Sequence, residues 1–206
     1  LWKTDGTAVG TVMVKVINAS GGAGVKVIGS VDGKAVFTAN DGIHGRELWV
    51  TDGTDAGTTL LKDISPGMTN TSFDTFAVAG NTLYFSAYES IAGKELWKTD
   101  GTAAGTVMVK DIRPGNNGSS VEDMVVLDST VYFRANDGVN GSQLWKSDGT
   151  AAGTVAMNVT VNPSKLAVSN GAIYFSGYES VNGTALWKSD GTASGTVMVK
   201  DITLPG

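Results

Sequence analysis

Apolar residues in this chain come in short runs closed by Gly, Asn, Asp or Ser, and the runs themselves recur. One phrase is spelled five times: LWKTDGTAVGTVMVKVI from Leu1, LWVTDGTDAGTTLLKDI from Leu48, LWKTDGTAAGTVMVKDI from Leu96, LWKSDGTAAGTVAMNV from Leu144 and LWKSDGTASGTVMVKDI from Leu186. The starts lie 47, 48, 48 and 42 residues apart, a period at which self-similarity signals a solenoid, propeller or array. Val, Thr, Tyr, Phe and Trp fill the runs without helical periodicity, so the chain is expected to be all-β. A complete unit reads as four strands, VKVIGS (25–30), KAVFTA (34–39), RELWVTD (46–52) and TTLLKDI (58–64), parted by turn residues. That is the pattern of a four-stranded antiparallel meander.

Successive strand residues point to opposite faces. Both members of the pairs Tyr84-Phe85, Tyr132-Phe133 and Tyr174-Phe175 are large and apolar, as are the five Leu-Trp pairs that hold Trp2, Trp49, Trp97, Trp145 and Trp187. Both faces of each sheet must therefore be covered, as in blades packed about an axis. The expected fold is a β-propeller of four-stranded antiparallel blades, about four and a half of them, in one repeat domain. The half blade is 1–17 and the blades are 18–64, 65–112, 113–160 and 161–206. A 48-residue unit is too small to stand alone, so the blades must stack. The tryptophans are expected between them. The last strand of each unit carries Lys and Asp, which suits an edge that must refuse further pairing.

Two irregularities refine this picture. The loop before the Leu-Trp strand alternates between Asn40-Asp41-Gly42, Glu89-Ser90, Asn136-Asp137-Gly138 and Glu179-Ser180, which suggests that a pair of blades was duplicated and that the parent ring has an even blade count. The second is a shortened connector. Asn158–Pro163 replaces the KDI-x-PG stretch present as Asp63–Gly67 and Asp111–Gly115.

Composition narrows the partners. The net charge is −5 with no basic run, which argues against nucleic acid. No stretch approaches the ~20 apolar residues of a membrane-spanning helix. There is no Cys, so thiolate metal sites and disulfides are out. Abundant Gly, Asn, Ser and Thr with only 17% charged residues fit an exported protein, extracellular or at the cell surface. Leu1 falls in mid-motif, so the chain is expected to be a segment of a longer protein, with any export signal upstream.

Candidate chemistry is sparse. The recurring Asp-Gly-Thr aspartates, Asp5, Asp52, Asp100, Asp148 and Asp190, could ring a Ca²⁺. Each copy offers one carboxylate followed by Gly, whereas calcium loops cluster several oxygens, so a turn in which Asp accepts local hydrogen bonds is the favoured reading. His44 is the only His, which rules out an imidazole cluster or a Ser-His-Asp triad. Carboxylate-only glycoside hydrolysis stays open in principle, with the non-repeating Glu122 and Asp123 as acids to test. Asn-x-Ser/Thr triplets at Asn18, Asn70, Asn117, Asn140, Asn158 and Asn182 take sugar only in a host with the machinery.

The phrases RELWVTDGT, KELWKTDGT and GTVMVKDI resemble the ELWxxDGT repeats of large exported or surface proteins, mostly bacterial, with departures at Gln143 and Ala185 where the leading Glu is replaced. The resemblance implies a propeller-like architecture and no defined activity. The expected role is a non-catalytic structural or adhesive module that meets protein or glycan through its rim loops, without cofactor and with no catalytic or metal residue assigned. A self-assembling subunit and, ranked lowest, a polysaccharide-active enzyme are the alternatives.

Overall fold

The computed structural model describes residues 1–181 and 183–200; the triplet at Asn182, and Asp201 and Ile202 of the fifth phrase, lie outside the described residues. Every element among the described residues is a strand. A two-stranded sheet of β1 (Trp2–Lys3) and β2 (Val12–Met13) comes first. Four antiparallel meanders follow, each in chain order from one edge to the other. The first holds β3 (Lys26–Val31), β4 (Lys34–Asn40), β5 (Arg46–Thr51) and β6 (Thr59–Lys62), and the second β7 (Phe73–Ala79), β8 (Thr82–Glu89), β9 (Gly93–Thr99) and β10 (Val107–Lys110). The third holds β11 (Glu122–Leu127), β12 (Thr130–Asn136), β13 (Ser142–Ser147) and β14 (Val155–Ala156), and the fourth β15 (Asn162–Ser169), β16 (Ala172–Glu179), β17 (Gly183–Ser189) and β18 (Val197–Lys200).

The turns explain the meander. Asp32-Gly33, Asp128-Ser129 and Asn170-Gly171 each hold two successive residues at positive φ, which matches the twist of a two-residue hairpin. The next strand pair then locks Phe opposite Trp: Phe37 with Trp49, Phe85 with Trp97, Phe133 with Trp145 and Phe175 with Trp187. The Phe37 and Trp49 rings lie 6.4 Å apart, near parallel at 27°.

Sheets stack through two unlike faces. The Phe-Trp face of each sheet looks back, and the face carrying Leu48, Leu96 or Leu144 looks forward. Leu48, Val36 and Val50 of the first meander thus meet Phe85, Leu83 and Trp97 of the second. Leu96 and Tyr84 meet Phe133 and Trp145, and Leu144 and Tyr132 meet Phe175 and Trp187. Burying one such side chain is worth about 1.5–3 kcal/mol, so most of the stability sits between sheets. Trp49, Trp97 and Trp145 are 7%, 7% and 6% exposed, whereas Trp2, on the outer face of the two-stranded sheet, is 65% exposed. At the other end Leu186 and Val199 lie open for the same reason, with no described sheet in front of them.

The first strand of every meander carries a register shift, and at these bulges the sheets are pinned to one another. The Met124 amide donates to Thr75 Oγ1 at 3.2 Å and the Lys165 amide to Asp123 Oδ2 at 2.9 Å. The architecture is all-β and propeller-like.

One sequence expectation needs correction. Asn162 and Pro163 are not loop: they open β15, where Pro163 pairs with Gly177, an edge position that costs no ladder bond to a further strand. The edge lysines also do more than guard an edge. Lys15 and Lys110 donate to the carbonyls of Thr58 and Thr154 at 2.9 and 2.8 Å, on the sheet that follows.

Candidate functional site

The Asp-Gly-Thr segment folds as a closed hydrogen-bond circuit. In the second copy Asp52 Oδ1 accepts from the Thr54 amide at 2.9 Å and its hydroxyl at 2.7 Å, and Thr54 Oγ1 accepts from the Gly57 amide at 2.9 Å. Thr58 Oγ1 donates to the Thr54 carbonyl at 2.6 Å and shares a 2.7 Å bond with Thr51 Oγ1. The same set recurs around Asp100, Asp148 and Asp190. The threonine hydroxyl, then its amide, hold the carboxyls of Asp5, Asp52, Asp100 and Asp190 below the usual carboxylate range, and for Asp148 the amide leads.

Both glycines of the phrase follow from this circuit. The first, as at Gly149, adopts positive φ, and a Cβ there would sit 2.3 Å from the Tyr84 hydroxyl of the preceding sheet. The second has no room: a Cβ on Gly105 would lie 2.1 Å from Asp100 Oδ1. Gly105→Ala is therefore expected to push the carboxylate off Thr102 and cost about 1–3 kcal/mol. Gly21→Ala, where nothing lies within 4 Å, is the control for the same urea titration. Equal midpoints for the two variants would contradict the circuit.

The rim-loop acids and the two acids singled out for testing, Glu122 and Asp123, are similarly committed. Asp41 Oδ1 accepts the Ile43 and His44 amides, and its Oδ2 meets His44 Nδ1 at 2.7 Å. Asp137 does the same with Val139 and Asn140, and Glu89 caps its own loop through the Ala92 amide at 3.0 Å. Glu122 pairs with Arg134 at 2.7 Å, and Asp123 accepts the Lys165 amide. Asp74, beside them, pairs with Lys94. No group of three or more potential metal-binding acids or histidines occurs among the described residues.

Two carboxylates that sequence reading passed over are fully buried. Glu47 and Glu95, the leading Glu of the phrase, are 0% exposed and hold the connector that crosses to the next sheet. Glu47 accepts from the Ile64 amide at 2.9 Å, the Ser65 amide at 3.3 Å and the Thr71 hydroxyl at 2.6 Å. Glu95 repeats this with Ile112 at 3.0 Å, Arg113 at 3.2 Å and Ser119 Oγ at 2.6 Å. Burial outweighs these donors and pushes Glu47 up to about 7; Glu95 rises for the same reason. The connector lies hard against its seat: a Cβ on Gly45 would come within 2.4 Å of the Thr69 carbonyl, and one on Gly93 within 2.4 Å of the Gly118 amide.

The third crossing differs. Counted from the Phe-Trp pairs, Thr160 stands where Ile112 does and Val161 where Ser119 does, so the six residues equivalent to 113–118 are absent. Gln143 replaces the Glu. A buried carboxylate stripped of its hydroxyl and amide donors would cost several kcal/mol, and the neutral amide avoids that. Its Oε1 is nevertheless buried without a partner. At Gly141, the counterpart of Gly45 and Gly93, a Cβ would meet nothing within 4 Å. The result is a cleft of about 470 Å³ lined by Asn140, Gln143, Thr160, Asn162 and Tyr178, with Tyr178 55% exposed. It is the place on the rim where the repeat is broken. The signal in sequence was the coincidence of the Gln143 departure with the shortened connector.

No family model matches the chain, and no curated protein is similar to it in sequence. Among solved structures it is similar to a puromycin hydrolase, with a TM-score of 0.59 at 14% identity over 84% of this chain and 28% of that one. It is similar also to a structure from a study of two prolyl endopeptidases, with a TM-score of 0.56 at 12% identity over 88% of this chain and 27% of that one. The chain thus spans less than a third of the length of either protein. At such identity the likeness is one of fold, and it agrees with the propeller-like stack.

Proposed function

We propose that this chain is a non-catalytic propeller module of an exported or cell-surface protein, contributing about four and a half blades to a ring of ~6–8 and meeting protein or glycan through its rim. The even blade count suggested by the alternating loops belongs to the same reading, as does kinship with the ELWxxDGT repeats. One observation carries it: the Asp-Gly-Thr aspartates and the leading glutamates Glu47 and Glu95 are each engaged by donors of their own turn or connector. They hold the blades in shape and leave the rim loops to vary. Glu122 and Asp123, two acids outside the repeat, are tied to Arg134 and to the Lys165 amide.

The test is a panel of polysaccharides and peptides incubated with the protein. No bond cleavage is expected, and retained ligand on a rim-directed array is. Cleavage abolished by Glu122→Gln or Asp123→Asn would replace this reading by an enzymatic one.

A second reading, self-assembly, is favoured by the open faces at the two ends. Trp2 and Met13 look back at 65% and 54% exposure, and Leu186 and Val199 look forward at 39% and 46%. These are the two unlike faces that meet at every internal junction, and head-to-tail contacts of this kind build rings or filaments. Light scattering on the purified chain separates the readings, since a monodisperse monomer at high concentration would end self-assembly.

A further inference from the structure

The cleft between the third and fourth meanders has the walls of a peptide seat. In the two preceding crossings the same place, above the positive-φ glycine and beside the residue that leads the Leu-Trp strand, is filled by the chain's own connector. Its central part is Ser-Pro-Gly-Met-Thr-Asn at 65–70 in one crossing and Arg-Pro-Gly-Asn-Asn-Gly at 113–118 in the other. The two share little beyond a Pro-Gly turn, with Gly67 at φ 96° and Gly115 at φ 99°. They also place the amide of the residue before proline on the buried carboxylate, at 3.3 and 3.2 Å. What the seat recognises is therefore mainly backbone: an amide donor at its floor and a tight turn that passes over a residue without a side chain.

At the third crossing those six residues are missing while the seat remains. Gln143 Oε1 lies at its floor with no donor, the space over Gly141 is open, and Tyr178, Asn140 and Asn162 form the walls. We propose that this cleft binds a Pro-Gly turn of a partner polypeptide, about six residues long, whose amide before the proline donates to Gln143 Oε1. The inference rests on the reading of the chain as a rim-binding module, and it names the site and the ligand class. An uncharged acceptor in place of Glu47 and Glu95 suits a ligand that comes and goes, because the open form then leaves no buried charge without donors. Backbone recognition by a preformed seat is an established route to peptide binding.

The probe is the chain's own connector supplied in trans, the blocked hexapeptide Arg-Pro-Gly-Asn-Asn-Gly, titrated into the isotope-labelled protein and followed by amide NMR. Saturable shifts confined to the region of Gly141, Gln143 and Tyr178 are expected. Affinity should fall about tenfold or more for Gln143→Met, which keeps the volume and removes the acceptor, and for a peptide in which Ala-Ala replaces Pro-Gly. A variant with the six residues inserted between Thr160 and Val161, together with Gln143→Glu and Val161→Ser, restores the third connector and should no longer bind; the same spectra report that each variant is folded. Absence of saturable shifts, shifts indifferent to these changes, or the same cleft responding to a neutral oligosaccharide instead would overturn the proposal. Partner binding elsewhere on the rim with a silent cleft would overturn it and leave the module reading intact, whereas bond cleavage would strike the module reading itself.

Discussion

Trp97→Ala is expected to lower the unfolding free energy by about 3–5 kcal/mol, whereas the same change at Trp2 should cost under about 1 kcal/mol. The two residues occupy the same position of the same phrase. Trp97 packs against Ile28, Leu48, Val50 and Leu61 of the preceding meander, and its loss leaves a cavity in a junction that no other element can fill. Trp2 faces away from the stack and is 65% exposed. Because each meander touches mainly its neighbours, the damage should show as a loss of coupling between the first and second meanders, broadening or splitting the denaturation curve. Trp97→Phe should be milder than alanine for two reasons. It keeps much of the area, and it removes an indole N–H that is buried with no acceptor, a group that costs about 1–3 kcal/mol when left unpaired. Urea titrations of the three variants decide the matter; equal losses at positions 97 and 2 would contradict stacking as the source of stability.

Stability should also fall as pH rises across the mildly acidic range, and Glu47 should be a main cause. Its carboxyl titrates at about 7 in the fold against about 4.3 in an unfolded chain, so the fold favours the protonated form. Below the unfolded value both states are protonated and nothing is lost. Between about 4.3 and 7 the unfolded chain ionises first, and stability drains away until both states are charged, a total on the order of 3 kcal/mol. Glu95 acts in the same direction. The Asp-Gly-Thr carboxyls act in the opposite one: their lowered folded values contribute stability above about 3.9 that is lost as pH falls through the folded value. Thermal midpoints should therefore peak in the acidic range and decline towards neutrality. Glu47→Gln should flatten the decline, as Gln143 already does at the third crossing; an unchanged slope in that variant would assign the effect to other groups.

The stacking and the turns were legible in particular residues. The alternation around Tyr84-Phe85 and Leu96-Trp97 was enough to place large side chains on both faces of each sheet, and with it the need for sheets to stack. Asp100 could be read as a turn residue because glycine follows it and no second acid stands nearby. Glu47 and Glu95 were not legible as buried groups. A carboxylate beside Leu-Trp looks like an outward-facing charge until the connector, 17 to 24 residues further on, is seen to fold back over it.

The strands, their order and their two-faced packing can be read along the chain, because strand periodicity, hairpin turns and repeat length are written locally in neighbouring residues. Which tryptophans are buried, why the second glycine of each phrase admits no side chain, and the cleft that the shortened crossing opens over Gln143 emerge only when the sheets are stacked. Those depend on distances between segments far apart along the chain, and no local pattern encodes them.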